Sequence, residues 1–490
     1  MSMAGRVLSG FLAISSILIV LGGRAPGAIT WLGTGADDSW STVTNWNPNG
    51  SPEGQDIVFD NTDARSSAGT VNSIVSSSLS VASLKYLNTT NSFHTTRIDA
   101  NQTLTVNGNV TIGPDAAGTT NVTILGGGSL AINSAGGTFQ VGGSNQTSGN
   151  SATLNMSGLT RFTADVGTFR VGDNTTNSGS TASTVILADS STIKATNLEL
   201  GGVCGREAVH TLKLGSGANV INADNVYVGM SEGRSGGTLQ FNGASGSLNL
   251  HAKNGSGRAN MYVAAGSSAT WASQTSVVDL TGHQADLSLN RLDIASRAGG
   301  YDNAGNAGSG ATATFSFDTG TLDVTAVTLA NRSGAANTGT KPILGTLNLR
   351  GGTVNIGSGG IALATNSSPS AGTVTGTVNI TGGTVTLAGN IAKGGGTGTT
   401  ASLTLNGPSA VLNMQGRNIT GLDTFTYQDG ILKNLGTVNT GITLAGTGSR
   451  VLHQDASYSG EVQGAITGTG IGLTKTGAGK LALSGSNSYT

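Results

Sequence analysis

Few side chains in this sequence have the type and spacing that chemistry requires. The single cysteine, Cys204, excludes internal disulfides and the zinc sites that are built from several cysteines. The histidines are scattered, with no pair at the spacing of metal ligands, and we expect each on a solvated loop or an outward strand position. The sequence therefore predicts no metal site and no cofactor. The five histidines are His94, His210, His251, His283 and His453.

One serine matches the pattern around a catalytic nucleophile. Residues 233–237 read Gly-Arg-Ser-Gly-Gly, which fits the G-x-S-x-G turn of hydrolases and places Ser235 at its centre. About one such match is expected by chance in a chain this rich in glycine and serine, and no strand-to-helix context surrounds it. The pair Gly479-Lys480 likewise lacks the other residues of a phosphate-binding loop. We assign a catalytic role to neither.

The nearest approach to a carboxylate group is Asp165, Asp173 and Asp189, which fall in neighbouring repeats. Enzymes that cleave polysaccharides need carboxylates on one face, either as acid and base or as Ca²⁺ ligands. These three occupy different positions within their repeats, at strand ends where aspartate favours turns. We therefore predict no catalytic residue and no enzyme. A β-helical polysaccharide lyase or hydrolase, or a carbohydrate-binding module, stays as the alternative.

The composition explains why such sites are scarce. Of 490 residues, 79 are Gly, 36% are hydrophobic and only 10% are charged. Lys and Arg number 24 against 25 Asp and Glu, so the net charge of −1 offers no electrostatic footprint for nucleic acid or an anionic membrane. Strong helix formers are scarce, which favours β-structure.

Internal repetition organises the chain. A pattern of three short alternating runs, each ending at Gly, Asn or Ser, recurs every 25 to 39 residues, and one apolar residue anchors each copy. This spacing predicts an all-β fold, a parallel β-helix (β-solenoid) with three short strands per rung; a propeller or a sandwich array is the rival. The ten anchors are Val122, Leu154, Val185, Leu212, Leu239, Val278, Phe315, Leu347, Val378 and Leu403.

Within a copy, alternation predicts which side chains face the core. In the copy that starts near Gly345, we expect one set inward and one set outward. The inward set is Leu347, Leu349, Val354, Ile356, Ile361 and Leu363, and the outward set is Thr346, Asn348, Thr353 and Asn355.

The two ends differ from the repeats. Arg6 precedes the apolar run 7–21, too short for a comfortable membrane span, so residues 1–28 are predicted to be a signal peptide cleaved near Ala28; an uncleaved anchor is the alternative. No later segment is apolar enough to span a membrane as a helix. Residues 29–70 hold Trp31, Trp40 and Trp46 and are predicted to be an N-terminal Trp-rich cap, with an aromatic sugar-stacking site as the alternative. The β-helix repeats are predicted over 71–467.

Residues 468–490 read GTGIGLTKTGAGKLALSGSNSYT and closely resemble the autotransporter-associated β-strand repeat, also called the passenger-associated transport repeat. The opening, from Trp31 through Asn45-Trp46 to 56–60, is similar to the start of secreted bacterial proteins that carry this repeat. The two matches cover about 60 residues of the chain. The matching positions in the terminal repeat are Leu473, Lys475, Gly477, Gly479, Leu481, Leu483, Gly485, Asn487, Tyr489 and Thr490.

The resemblance implies a large β-helical protein that is secreted or exposed on the bacterial cell surface. Some relatives continue into a translocating barrel and others into a sorting tail. This chain stops at Thr490, inside the repeat, so we expect the repeat to be truncated and a C-terminal anchoring or translocating region to be missing. The expected function is that of an exported, non-enzymatic stalk, adhesin or surface-layer component. Its expected partners are glycans or neighbouring cell surfaces, not nucleic acid.

Overall fold

The structure, a computed structural model, describes residues 27–89, 92–114, 117–143, 150–172, 181–201, 208–229, 235–266, 273–298, 310–333, 340–368 and 372–489. Most of the predicted signal peptide, Asp173, Cys204, the first two residues of the Ser235 pattern and Thr490 lie outside these ranges. Within the ranges, one short 3-10 helix covers Val43–Asn45, and no helix is long and apolar enough to cross a membrane.

The described chain is an all-β solenoid in which each coil pairs in parallel with the coil before it and the coil after it. We call the strands that carry the predicted anchors the first ladder. The long strand Thr119–Val141 begins in this ladder. Its other strands are Ser73–Val75, Ser92–Ile98, Ser151–Asn155, Thr184–Ile186, Val209–Leu214, Gly236–Phe241, Ser273–Asp279, Gly310–Phe317, Ile343–Leu349, Val374–Ile380, Thr399–Leu405, Thr424–Tyr427, Ile442–Leu444, Ile466–Gly468 and Ser488–Tyr489.

The remaining strands form a second and a third ladder, which follow the first in each coil. Long strands pass through both: Thr119–Val141, Leu159–Val171, Ser190–Leu200, Ala218–Val228, Gln284–Ala298, Thr319–Ser333 and Thr353–Asn366. The short strands of the second ladder are Leu79–Val81, Thr103–Val106, Ser247–His251, Thr384–Leu387, Val411–Asn413, Ile431–Lys433, Arg450–His453 and Leu473–Thr476. Those of the third are Ala28–Trp31, Asp56–Phe59, Ser83–Tyr86, Val110–Ile112, Ala259–Val263, Ile391–Lys393, Ile419–Thr420, Thr437–Val438, Ser459–Val462 and Lys480–Leu483, with Trp46–Asn47 paired antiparallel to the first of them.

The predicted anchors stack on one another. Every consecutive pair of the ten, from Val122 to Leu403, consists of directly opposed residues in neighbouring parallel strands. All ten are buried, because alternation turns every second side chain of a strand to the same face. The column continues from Leu403 through Phe425 and Ile442 to Ile466. The predicted β-solenoid register is therefore confirmed, and so is the inward and outward alternation around Leu347.

A second apolar column runs the length of the third ladder. Its members oppose one another in register from one end of the described chain to the other, and only the last is exposed. They are Ile29, Ile57, Leu84, Val110, Phe139, Phe169, Leu198, Val226, Met261, Leu292, Val327, Ile361, Ile391, Ile419, Val438, Val462 and Leu483. The core is thus a set of continuous stacks along the solenoid axis.

Three short strands in every rung are not confirmed. In the middle coils a single long strand, such as Leu159–Val171, serves the second and third ladders together. A sharper corner follows the third ladder, where the residue after each buried apolar residue has positive φ: 139° at Gly172, 142° at Gly201, 55° at Ala295 and 53° at Ala330. Glycine suits this corner because it has no Cβ, whereas the alanines adopt positive φ at a cost in backbone strain.

Two histidines depart from the sequence expectation, which is wrong for His94 and His210. Both are buried because they occupy inward positions of the first ladder: His94 opposes Val122, and His210 opposes Gly237. His210 Nδ1 accepts a hydrogen bond from the Ser183 backbone N–H at 3.1 Å. Burial lowers the pKa of His210 to about 4, so the ring is neutral at pH 7.

The N-terminal tryptophans pack against each other and against the first coils. Trp31, Trp40 and Trp46 are buried, with Trp46 edge-on to the other two at centroid distances of 4.9 and 5.3 Å. Phe59 lies 5.9 Å from Trp31 and stacks on Tyr86 at 4.5 Å. Because these indole rings are buried, they do not form an exposed platform on which a sugar could stack.

Candidate binding face

The sequence-predicted candidates do not converge. Asp165 pairs with Lys194 at 2.9 Å in the second ladder, and Asp189 accepts a hydrogen bond from the Ser216 hydroxyl at 2.6 Å. Ser235 is buried and precedes the strand Gly236–Phe241, so no strand-to-helix turn presents it. The described residues contain no group of three His, Cys, Asp or Glu that could hold a metal ion.

A different group of polar side chains meets on the outer side of the third ladder. Between the buried residues of that ladder, one outward position carries Arg170, Glu199, Tyr227, Tyr262 and Asp293 in five successive coils, each directly opposed to the next. We call this column and the asparagines beside it the binding face. Parallel stacking at about 4.8 Å per coil brings these side chains into contact.

Two tyrosines form the centre of the binding face. The rings of Tyr227 and Tyr262 stack with centroids 4.9 Å apart and planes 11° from parallel. The Arg291 guanidinium lies over the Tyr262 ring, 5.4 Å from its centroid, where a cation is attracted to the π face. Both tyrosines are half-buried.

An asparagine ladder runs beside the tyrosines. The side-chain amide of Asn225 donates to Asn197 Oδ1 at 3.1 Å, that of Asn260 donates to Asn225 Oδ1 at 3.2 Å, and that of Asn290 donates to Asn260 Oδ1 at 3.1 Å. Asn260 Nδ2 also donates to the Asp224 carbonyl at 3.4 Å, and each accepting amide oxygen has a second lone pair. The ladder therefore offers donors and acceptors at regular intervals along the solenoid axis.

Ion pairs bound the binding face at both ends. Arg170 Nε lies 2.6 Å from Glu199 Oε2, and Arg291 pairs with Asp293. Burial raises the pKa of Asp293, while the positive charge and hydrogen bond of Arg291 oppose that shift. Each carboxylate thus has an arginine partner that holds it in place.

The spacing of the two carboxylates argues against paired acid–base catalysis. Three coil spacings separate Glu199 from Asp293, which is about 14 Å at about 4.8 Å per coil. Glycosidases that use two carboxylates hold them roughly 5 to 9.5 Å apart. This pair is therefore too widely spaced for that mechanism.

Sequence reasoning missed the binding face, although a signal for it was present. The segments Asn225-Val-Tyr-Val and Asn260-Met-Tyr-Val share their asparagine and tyrosine at the same distance before the corner, and Asn197-Leu-Glu-Leu keeps the asparagine. Once the copies are aligned on their anchors, these residues fall into columns. Alignment by outward position, not only by apolar anchors, would have found them.

The three comparisons with known proteins identify no relative. No protein-family model matches the chain. No curated protein and no solved structure matches it either.

Proposed function

We propose that this chain is an exported, non-enzymatic β-solenoid that acts as a surface stalk or adhesin and presents the binding face to glycans. In this proposal each coil has three faces, one per ladder, and the aromatic residues of 29–70 cap the N-terminal end. The observation that carries it is the unbroken register of the core columns, since stacked coils fix outward side chains in straight rows. A rod of this kind holds a repeated contact surface at a distance from its attachment.

The proposed kinship with secreted bacterial proteins rests on the terminal repeat. Its strands Leu473–Thr476, Lys480–Leu483 and Ser488–Tyr489 pair with the preceding coil on all three ladders. The repeat is thus one more coil of the same solenoid. Export is supported by the apolar run 7–21 after Arg6.

Glycans are the proposed partner because of the chemistry of the binding face. Amides, phenol groups and arginine–carboxylate pairs form directed hydrogen bonds with hydroxyl groups. The asparagine ladder repeats them at about 4.8 Å, so one extended chain of sugars can make several weak contacts at once. A net charge of −1 leaves little long-range attraction to a polyanion.

A glycan array with the purified chain tests the proposal. We expect binding to extended polysaccharides and a loss of about tenfold in affinity when Tyr227 and Tyr262 are both replaced by Ala. Tyr458→Ala is the matched control, because Tyr458 is also half-buried but lies in a distant coil. Circular dichroism checks that each variant keeps its strands. No binding to any glycan, or equal binding by the double variant, would overturn the proposed function.

A further inference from the structure

A buried arginine without a partner lies at the corner that follows the third ladder. The Arg297 side chain is only 1% exposed. Its Nε and Nη1 are buried and have no hydrogen-bond partner, and no ion pair between described residues includes it. A guanidinium has five N–H donors, so several of its donors are left without an acceptor.

A second arginine is stacked on the first. Arg332 directly opposes Arg297 in the next coil and is fully buried, with Nη2 donating to the Lys341 carbonyl. On the opposite side Arg297 is bridged to Gly266, which has no side chain. Two positive charges in neighbouring coils repel each other, and this repulsion adds to the cost of burial.

The nearby carboxylates among the described residues do not neutralise the positive charge of Arg297. Those of residues 258–323 all have other hydrogen-bond donors: Asp279 accepts from Thr281, Asp286 from Gln284, Asp293 from Arg291, Asp318 from Gly282, and Asp323 from Arg258. Burial lowers the pKa of Arg297 to about 10, so the group is still charged at pH 7. A buried charge of this kind requires an opposite charge and hydrogen bonds to offset its lost hydration.

We propose that Arg297 binds a small oxyanion: a sulfate, a phosphate or the carboxylate of an acidic sugar. A planar guanidinium binds such oxygens in pairs. The site lies at the corner after the third ladder, apart from the Tyr227 column, and it does not depend on the proposed function of the binding face.

Calorimetric titration of the full chain tests the proposal directly. Sulfate, phosphate and galacturonate are titrated separately against a sodium chloride background of matched ionic strength, which removes general screening. We expect saturable binding at one site for at least one of the three. Sulfate or phosphate binding alone identifies an inorganic anion site, whereas preferred galacturonate binding identifies a sugar carboxylate.

Two variants locate the site. Arg297→Met keeps much of the side-chain volume and removes the charge, so affinity should fall at least tenfold, while Arg350→Met, at an exposed arginine, should leave it unchanged. If Arg297→Met does not fold, selenate soaked into crystals of the unaltered chain still reports the site by anomalous scattering. We expect a selenate peak beside Arg297.

Three results would overturn the inference. The first is that none of the anions binds the unaltered chain. The second is that binding is equal in the Arg297→Met variant, or that the selenate peak lies elsewhere. The third is that the anions bind the Asp302→Asn variant but not the unaltered chain. That result would mean that the Asp302 carboxylate neutralises Arg297 in the unaltered chain. The position of Asp302 lies outside the described residues.

Discussion

The two ends of the solenoid are built differently. At the N-terminal end, the third-ladder column begins at Ile29, which is 5% exposed beneath the tryptophan cluster. There the strand Ala28–Trp31 pairs antiparallel with Trp46–Asn47, so its free edge is occupied. In the last described coil the residue of the same column is Leu483, which is 36% exposed.

In the last described coil, a charged residue replaces an apolar one in the second-ladder column. In the second ladder, Leu432 and Leu452 are buried, but the next residue in register is the exposed Lys475. Its Nζ donates to the Gly477 carbonyl at 2.6 Å. The first coils thus pack aromatic rings together, whereas the last described coil has a lysine where the preceding coils have leucine.

The largest expected effect follows from removing an aromatic ring from the first coils. Trp46 is fully buried, and its indole N–H donates to the Trp40 carbonyl at 2.9 Å. Trp46→Ala should cost about 3–5 kcal/mol of local stability, as large core truncations do. Leu483→Ala in the last described coil should cost less than about 1 kcal/mol, because that side chain is already partly in water.

Hydrogen exchange read by mass spectrometry measures both losses locally, in peptides that cover Asp56–Phe59 and Lys480–Leu483. Val43→Ala is the control for the first coils, since Val43 is exposed in the same segment as the tryptophans. Equal loss of protection in the Trp46 and Leu483 variants would show that the ends do not differ in packing.

A smaller, pH-dependent difference should separate the ends between pH 7.5 and 5. The Asn72 amide donates to Nδ1 of buried His94, and His94 Nε2 donates to the Asp60 carbonyl. Burial lowers the pKa of His94 below its usual 6.5; Asp60 and Asp63 oppose this shift and Arg65 adds to it. The neutral ring thus contributes stability that is full above pH 6.5 and is lost as the pH falls toward the folded-state pKa.

Protection of the Ser92–Ile98 backbone amides from hydrogen exchange should therefore decrease between pH 7.5 and pH 5, after correction for the intrinsic exchange rate. At the C-terminal end, hydrogen bonds from Asn434, His453 and Lys433 lower the pKa of Asp455, so its contribution is lost only below about pH 3.8. His94→Gln should flatten the change at the N-terminal end. A decrease of the same size in Lys480–Leu483 would contradict this assignment.

The smallest effect concerns Lys475 in the last described coil. Lys475→Leu continues the second-ladder column, so we expect self-association to become roughly tenfold tighter, measured by analytical ultracentrifugation. Lys480→Leu is the control, because Lys480 is exposed at an outward position of the same coil. Association unchanged by Lys475→Leu, or raised equally by both variants, would refute the protective role of this lysine.

The apolar part of this fold could be predicted from the sequence because it obeys a simple period. One residue per copy, from Val122 to Leu403, was enough to establish the stacking of ten coils. The same reasoning was wrong for His94 and His210, because composition does not predict that a polar side chain will occupy a buried, inward position. It also missed Arg297 and the Tyr227–Tyr262 pair, since their environments depend on which residue lies one coil away.

Disulfide cross-linking tests most directly whether the copies lie in register. Thr346 and Thr377 oppose each other in neighbouring coils, and both are outward. In a Cys204→Ser background, cysteines at 346 and 377 should join readily, since about 4.8 Å between parallel strands lies within the reach of a disulfide. Cysteines at 346 and 375 would be about 8 Å apart, beyond that reach, and should stay reduced. Efficient cross-linking of 346 to 375, or none between 346 and 377, would contradict the stacked register.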